Sequence, residues 1–371
     1  MLPENFLQPV LLCALALSFL FRGIVWFYYR DGKRILPLLK LASNTGITER
    51  YYKPLDNWLS PLPFLYCWLE IFSAVLFFRW TSYNLFSGAL LAVVASGRMR
   101  ALQEIGHNAL HAALCPSKSL QWVLGNIFFQ FPTVKRDMDS RFQTHVKDHH
   151  PNADIPGKDP NLKRVIRAGM VPGITTFGFV MALFYPISPK GVLATVKGNL
   201  SDAMFENSSS YIVFLRVLVT VSVIGLYLSI GGPSALVVGW IIPVFLIYPL
   251  FAWWSLLSKH RWHTTYIPTA DKRAHDYEHG RATDFPGLFG IIHRYLIFPM
   301  SDAYHLAHHI YPFVRSEYLP EVDRALKVRE PRYTQYISSG MLFGFDGQPA
   351  ALSELYHRLV RPATASEVTI N

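Results

Sequence analysis

The sequence predicts an all-α membrane protein in which about four or five transmembrane helices support a cytoplasmic helical cap. Of the 371 residues, 51% are hydrophobic and only 16% are charged, whereas soluble domains average about 25% charged residues. The apolar residues are gathered in long runs that alternate with basic polar segments, and three clusters of histidine lie in those basic segments. These observations favour an integral membrane protein with a histidine-rich cap.

Five apolar runs account for the predicted spans. The first lacks the basic start and the small-residue cleavage site of a signal peptide, so a retained helix is expected. The other four form two hairpins, turned at 81–84 and at 231–234, and the second turn contains Gly and Pro, which are strong turn signals. The runs are 7–29, 62–80, 85–96, 211–230 and 235–257.

Lysine and arginine residues set the expected orientation. Of 35 in the chain, 11 lie between Arg98 and Arg167 and 13 lie from Lys259 onward, so 24 occupy the two segments that carry the histidine clusters. The positive-inside rule places such segments in the cytoplasm. Nucleic-acid binding is not expected, because no recognition module accompanies the basic charge.

Two segments outside the spans complete the predicted organisation. Segment 34–60 is expected to be a cytoplasmic connection. Segment 169–186 is long enough to span but contains Gly and Pro, and a span there would separate the histidine clusters, so it is expected to be interfacial or re-entrant. The division is then a helix and connection at 1–60, a membrane metal domain at 61–330 and a cytoplasmic tail at 331–371.

Eight histidines form three boxes with helical spacing. Residues i, i+3 and i+4 share one face of a helix, so each box can direct its rings toward one point. Imidazole is the commonest metal ligand, and three such boxes favour a metal centre over unrelated surface histidines. The boxes are His107 and His111 in HNALH, His145, His149 and His150 in HVKDHH, and His305, His308 and His309 in HLAHH.

These boxes resemble those of the membrane fatty-acid desaturase and hydroxylase superfamily, which carries HxxxH, HxxHH and HxxHH motifs around two membrane hairpins. The third box, in the run YHLAHHIYP, is the most similar, whereas the second has one extra residue between its first two histidines. The resemblance covers about residues 60–330. It implies two iron ions held by the histidines, with O2 as co-substrate.

The resemblance also implies a ninth histidine ligand from the region between the last span and the third box, which contains His260, His263, His275, His279 and His293. The run RAHDYEHG at 273–280 is similar to the superfamily's RxxxEH element, which points to His279, with His275 and His263 as alternatives. Ligand rings are commonly oriented by carboxylates on their other nitrogen. The acidic candidates beside the boxes are Asp148, Asp154, Glu278 and Asp302.

The expected function is O2-dependent oxidation of an unactivated C–H bond in a long-chain lipid from the membrane, most simply fatty acyl desaturation. Hydroxylation or ketolation of a fatty acid, carotenoid, sphingoid base or alkane would use the same boxes. A divalent-metal transporter is disfavoured because 211–257 contains only one charged residue, Arg216. A membrane zinc hydrolase is a further alternative.

The electrons for such a reaction are expected to come from a separate protein. The sequence contains no glycine-rich dinucleotide fingerprint after a strand and no haem-binding HPGG segment. A ferredoxin, or a cytochrome with its reductase, is therefore the expected partner, and a basic cap would suit an acidic donor.

Overall fold

The computed structural model describes residues 3–30, 54–202, 209–264 and 271–360. Much of the predicted connection at 34–60 and the end of the tail at 331–371 lie outside these described residues. The described chain is mainly helical with two three-residue strands, which confirms the expected all-α architecture. Four described segments are long and apolar enough to cross a membrane: Glu4–Tyr29, Asp56–Trp80, Leu85–Leu110 and Ser210–Lys259.

The first membrane helices pack as a bundle, and the predicted run 85–96 continues without a break as far as the first histidine box. Asn84 fixes the start of that helix, because its side chain accepts a hydrogen bond from the Ser87 backbone N–H at 2.9 Å. The helices are α1, Glu4–Tyr29; the short α2, Asp56–Leu59; α3, Leu62–Trp80; and α4, Leu85–Leu110.

A partly buried carboxylate, Glu70 of α3, ties this bundle together. The Arg22 guanidinium of α1 donates to it through Nε at 3.1 Å, and the Tyr295 hydroxyl donates to it at 2.9 Å. Arg98 Nη1 of α4 lies 3.4 Å from the same carboxylate. Charges at membrane depth are costly unless they are paired, so these contacts fix the relative positions of α1, α3 and α4.

Short helices connect α4 to the second hairpin. Segment 169–186 contains only an eight-residue α-helix and the 3-10 turn Tyr185–Ile187, and eight helical residues extend about 12 Å. The segment therefore does not cross a membrane as one helix. The helices are α5, Lys118–Gly125; α6, Met138–Phe142; α7, Pro160–Arg167; α8, Thr176–Leu183; and α9, Pro189–Lys197, with π-helical turns at Asn126–Gln130, Gln143–His149 and Gly198–Asp202.

The long apolar segment after residue 209 folds back on itself at Gly232. This residue has φ 72° and ψ −171°, outside the helical region. The Tyr227 hydroxyl donates to the Gly239 carbonyl at 2.9 Å, whereas residues 12 positions apart in a straight helix would be about 18 Å apart. The chain therefore reverses where the hairpin turn was predicted. The parts are α10, Ser210–Leu236; π-helical turns Val237–Ile241 and Pro243–Ile247; and α11, Tyr248–Lys259.

The C-terminal part forms a cap on the end of the bundle that carries the first box. Buried Arg315 joins the two, because its guanidinium donates to the Asp56 carbonyl at 2.9 Å and to the Leu114 carbonyl at 2.8 Å. The first strand pairs with the second in parallel. The elements are α12, Lys272–His279; β1, Ala282–Asp284; α13, Gly287–Leu296; α14, His305–Ile310; α15, Leu319–Arg329; β2, Ile337–Ser339; and α16, Ala351–Val360, with 3-10 turns at Asp302–Tyr304, Ser316–Tyr318 and Pro331–Thr334.

Candidate metal centre

The second box lies on a π-helical turn, and this turn explains its spacing. The His150 backbone N–H donates to the His145 carbonyl at 3.1 Å, an i to i+5 bond. The wider turn brings His145 and His150, five residues apart, into one group of histidines, while His149 joins a different group. π turns of this kind are frequent at functional sites. The box therefore serves two points rather than the single point expected from helical spacing.

Five histidines meet at the first of these points, which we call the five-histidine cluster. His107 Nε2 lies 2.6 Å from His145 Nε2, which in turn lies 3.1 Å from His150 Nε2. The five ligand atoms all lie within 4.8 Å of one another. Opposite nitrogens on one metal ion at about 2.1 Å are about 4 Å apart, so this spacing fits a single ion. The members are His107, His111, His145, His150 and His308.

Four histidines meet at the second point, the four-histidine cluster, again within 4.8 Å of one another. Its members are His149, His260, His305 and His309. His260 follows the last residue of α11, and its Nε2 lies 3.1 Å from His305 Nε2. His260 lies in the region between the last span and the third box that the resemblance marks for a ninth ligand, but it belongs to no box, and similarity to the RxxxEH element favoured His279 over it.

His279, the ninth ligand predicted from the sequence, lies at the edge of the four-histidine cluster. It forms a group with Asp276 and His309 within the same 4.8 Å limit. Its Nδ1 lies 2.7 Å from the His275 carbonyl, and its buried Nε2 has no hydrogen-bond partner among the described residues. The alternatives turn away: His275 Nε2 lies 2.8 Å from the Ala153 carbonyl, and His263 Nε2 lies 2.9 Å from the Met170 carbonyl.

The chemistry of these rings fits metal ions. Burial lowers the pKa of His150, His308 and His309 well below the ordinary value, so the rings are neutral, as ligands must be. Buried polar atoms without a hydrogen bond are rare. In the described chain they include His111 Nε2, His150 Nδ1, His260 Nδ1, His308 Nε2 and both ring nitrogens of His309. An all-imidazole donor set suits iron, zinc or copper.

Two carboxylates contact ligand rings at hydrogen-bond distance, and a third lies near another ring without a hydrogen bond to it. Glu104 Oε2 lies 3.0 Å from His107 Nδ1, and Asp159 Oδ1 lies 2.9 Å from His149 Nδ1. Asp276 Oδ1 lies 3.4 Å from His309 Nδ1. Burial raises the pKa of Asp276 to about 6. Such contacts hold each ring in place and raise its basicity toward a metal.

The four carboxylates selected from the sequence have other partners in the described structure. Asp148 accepts from the Gln143 amide at 3.2 Å, and Glu278 accepts from the Tyr336 hydroxyl at 3.2 Å. Asp154 accepts the backbone N–H groups of residues 263 and 264, both at 2.8 Å, and burial raises its pKa. These acids, and Asp302 with them, form no hydrogen bond or ion pair with a box-histidine ring among the described residues. Nearness in sequence to a box did not predict nearness to its rings.

Asp302 instead anchors the third box to the membrane helices. It accepts from Arg100 Nη2 of α4 and from the Ser255 hydroxyl of α11, at 2.6 Å and 2.7 Å. Lys259 pairs with its other oxygen, and Arg100 also donates to Glu104 at 2.6 Å. This buried network has two cations and two anions, so its charges are balanced. The network connects Glu104, which orients His107, with the segment that precedes the third box.

A cavity of about 580 Å³ opens beside both clusters. This volume is within the usual range of about 300 to 1,000 Å³ for ligand sites. His107 and His145 of the five-histidine cluster and His149, His260 and His305 of the four-histidine cluster line it. A molecule in this cavity would therefore lie against both candidate metal positions.

The fold and the site define a helical membrane protein with a multi-histidine metal centre beside a ligand-sized cavity. The sequence pattern of the fatty acid desaturase family matches residues 78–340, which include all three boxes. The chain belongs to the fatty acid desaturase family, which confirms the resemblance seen in the boxes. The dihydrorhizobitoxine desaturase of Bradyrhizobium elkanii is 26% identical over 282 residues, covering 72% of this chain and 76% of that protein.

Membership of this family supports several of the coarser expectations. The chain is a desaturase-like oxidoreductase, and its apolar helices are those of a membrane protein. The family generally uses iron and O2, and it generally acts on lipid substrates with electrons from a donor.

Proposed function

We propose that this chain oxidises an unactivated C–H bond in an acyl chain with O2, and that the reaction is a desaturation. The observation that carries the proposal is the pair of histidine clusters in the wall of one cavity. The name of the Bradyrhizobium elkanii relative supports desaturation over hydroxylation or ketolation. A long-chain lipid from the membrane is the proposed substrate.

The proposed centre holds one iron ion in each histidine cluster. The eight box histidines and His279 are the ligands proposed from the sequence, and the geometry adds His260 to the second ion. When bound, iron supplies the O2 chemistry that the protein's own side chains lack. The observed nitrogen spacing and the neutral, unpartnered rings support this assignment.

The surrounding residues hold the rings and the substrate. Glu104 and Asp159 orient His107 and His149 through their outer nitrogens, and Asp276 lies beside His309. Phe129 and Trp253 line the cavity, and their apolar faces would exclude water from the reacting chain. Accurate placement of one C–H bond beside the metal centre is the protein's main contribution to such a reaction.

Other components of the proposal concern the cell. The cap is proposed to face the cytoplasm, where a separate ferredoxin, or a cytochrome with its reductase, would deliver electrons. A metal transporter is disfavoured, because Arg22 and Arg216 within the spans are paired, with Glu70 and Asp137, rather than free to line a path. Metal analysis separates the oxidase from a zinc hydrolase.

The experiment combines metal analysis with product analysis. Purified protein should contain about two irons per chain with little zinc. Lipids from an expressing host should contain a new unsaturated product by mass spectrometry, and turnover with NADPH should require the added donor.

His308→Ala should abolish the product while the protein still inserts in the membrane, and exposed His357→Ala should change nothing. Full zinc occupancy without iron would refute the oxidase.

His260 and His279 are compared in the same assay. Alanine at a true ligand should reduce bound iron toward one per chain, because the five-histidine cluster stays intact. We expect a loss in both variants, with no loss in His275→Ala, whose ring nitrogen contacts a carbonyl. Wild-type iron in His279→Ala would remove it from the ligand set, and wild-type iron in His260→Ala would remove that residue.

A further inference from the structure

The cavity beside the metal centre has a strongly basic wall. Five cationic side chains line it in addition to Arg100 and Lys259 of the balanced network. Glu104 is the only acid among the described lining residues, and it already bonds Arg100 at 2.6 Å and His107 at 3.0 Å. The five further cations are Lys135, Arg136, Arg141, Arg164 and Arg167. A cavity for a purely hydrocarbon ligand would not need them.

Three of these cations have no carboxylate partner in the described part of the chain. Arg141 donates to the backbone carbonyl of Gln103 at 3.2 Å and forms no ion pair among the described residues. Lys135 Nζ lies 5.1 Å from the centre of the Tyr248 ring. Arg164 forms no ion pair within the described residues. The cationic wall is therefore electrostatically unmatched, unlike Arg100 and Lys259.

The cations are close enough to affect one another. Burial, with the charges of Arg164 and Arg141, lowers the pKa of Lys135 to about 7. Arg164 is itself exposed to solvent, but its charge is near enough to disfavour the charged form of Lys135. Like charges at this separation destabilise each other, and an anion between them would relieve the repulsion.

An unpartnered hydrogen-bond donor lies in the same cavity. Asn199 is 8% exposed and lines the cavity, and its Nδ2 has no partner among the described residues. An amide donor next to a cationic wall suits an oxygen-rich group. The apolar side of the cavity, which includes Phe129, Ala252 and Trp253, would accept the rest of the same molecule.

We propose that the substrate carries an anionic oxygen group, a carboxylate or a phosphate, which binds between Lys135, Arg141 and Arg164. Its chain would extend along the apolar wall to the histidine clusters; this part rests on the proposed oxidase function. Guanidinium groups suit the proposed anion, because they pair with carboxylate and phosphate through two parallel hydrogen bonds. The anion would thus set which carbon reaches the metal centre.

The test measures ligand binding to the iron-loaded full chain in lipid nanodiscs by calorimetry. The probes are hexanoate, hexyl phosphate and hexanol, which share one chain and differ in charge. At least one anion should bind about tenfold or more tighter than hexanol, as expected for a charge-assisted contact. The tighter anion identifies the group. Equal or tighter binding of hexanol would overturn the proposal.

Matched variants locate the contact. Arg164→Gln and Lys135→Gln should each weaken anion binding about tenfold and leave hexanol binding unchanged. Lys163→Gln is the control, because Lys163 adjoins Arg164 in α7 and is exposed like it, but does not line the cavity. Equal losses in the control and in Arg164→Gln would refute the assignment. Bound iron reports on whether each variant is folded. If Arg164→Gln loses its iron, the result for Lys135→Gln is the one that tests the proposal.

This binding assay is independent of turnover. A protein that binds anions but oxidises nothing would retain the anion site while refuting the proposed oxidase. A protein that desaturates lipids but binds hexanol more tightly than the anions would refute the anion site and support the proposed oxidase.

Discussion

At the scale of single residues, Asp159 connects the metal centre to the helix that follows the second box. Its Oδ1 lies 2.9 Å from His149 Nδ1 and accepts the Asn161 N–H at 2.8 Å, while Oδ2 accepts the Asp154 N–H at 2.9 Å. One buried carboxylate therefore orients a proposed ligand ring, caps α7 and holds the preceding loop.

We predict that Asp159→Asn weakens metal binding about 10- to 100-fold, the usual effect of losing a group that orients a ligand. The amide cannot accept at both positions with the strength of a carboxylate, so the His149 ring loses its fixed orientation. Competition with a chelator measures the change. Asp148→Asn is the control, since Asp148 contacts the Gln143 amide and no ring. Equal affinities in the two variants would contradict the role of Asp159.

The sequence predicted the ligand boxes better than it predicted their supporting residues. The eight box histidines can be recognised from the sequence because the members of each box lie close together in the chain at helical spacing. Asp159 lies ten residues from His149, and His260 belongs to no repeated spacing. Their positions depend on how loops return to the site, which residue spacing does not encode. Carboxylates near a box in sequence, such as Asp148 and Glu278, point elsewhere.

At the scale of elements, the turn at Gly232 determines whether α10 reverses. Its φ of 72° and ψ of −171° lie in a region that is essentially restricted to glycine. Gly and Pro at 231–234 predicted a turn there. The π-helical turns that follow, Val237–Ile241 and Pro243–Ile247, were not predictable, because residue patterns do not separate them from an α-helix.

We predict that Gly232→Ala destabilises the protein by about 1 to 3 kcal/mol, because a Cβ is strained in this conformation. The thermal unfolding midpoint in detergent should fall accordingly. Gly225→Ala is the matched control in the same helix, where an added Cβ meets no atom within 4 Å. It should be neutral or slightly stabilising, as alanine favours helix. Equal midpoints for the two variants would argue against a strained reversal.

At the scale of the whole molecule, both hairpin tips lie at one end of the helix bundle. Arg79 Nη1, near the end of α3, donates to the Ile230 carbonyl at 2.8 Å. The turns at 81–84 and 231–234 therefore adjoin each other, and the histidine clusters lie beyond the other ends of α4 and α11. Alternating apolar and basic segments predicted this arrangement because bilayer thickness restricts where a chain can turn. The carboxylates that contact the rings could be identified only from the three-dimensional packing.

Labelling of single cysteines in intact cells tests this topology. The background variant replaces Cys13, Cys67 and Cys115 by alanine, two of which are buried. We predict that an impermeant reagent labels cysteines at Tyr83 and Ser234 from outside, since both tips share one side. A cysteine at exposed Lys190 should be labelled only after the cells are opened, because segment 169–186 contains no helix long enough to cross. Labelling of Lys190 from outside with protection of Ser234 would show that this segment spans the membrane and that the second hairpin is inverted.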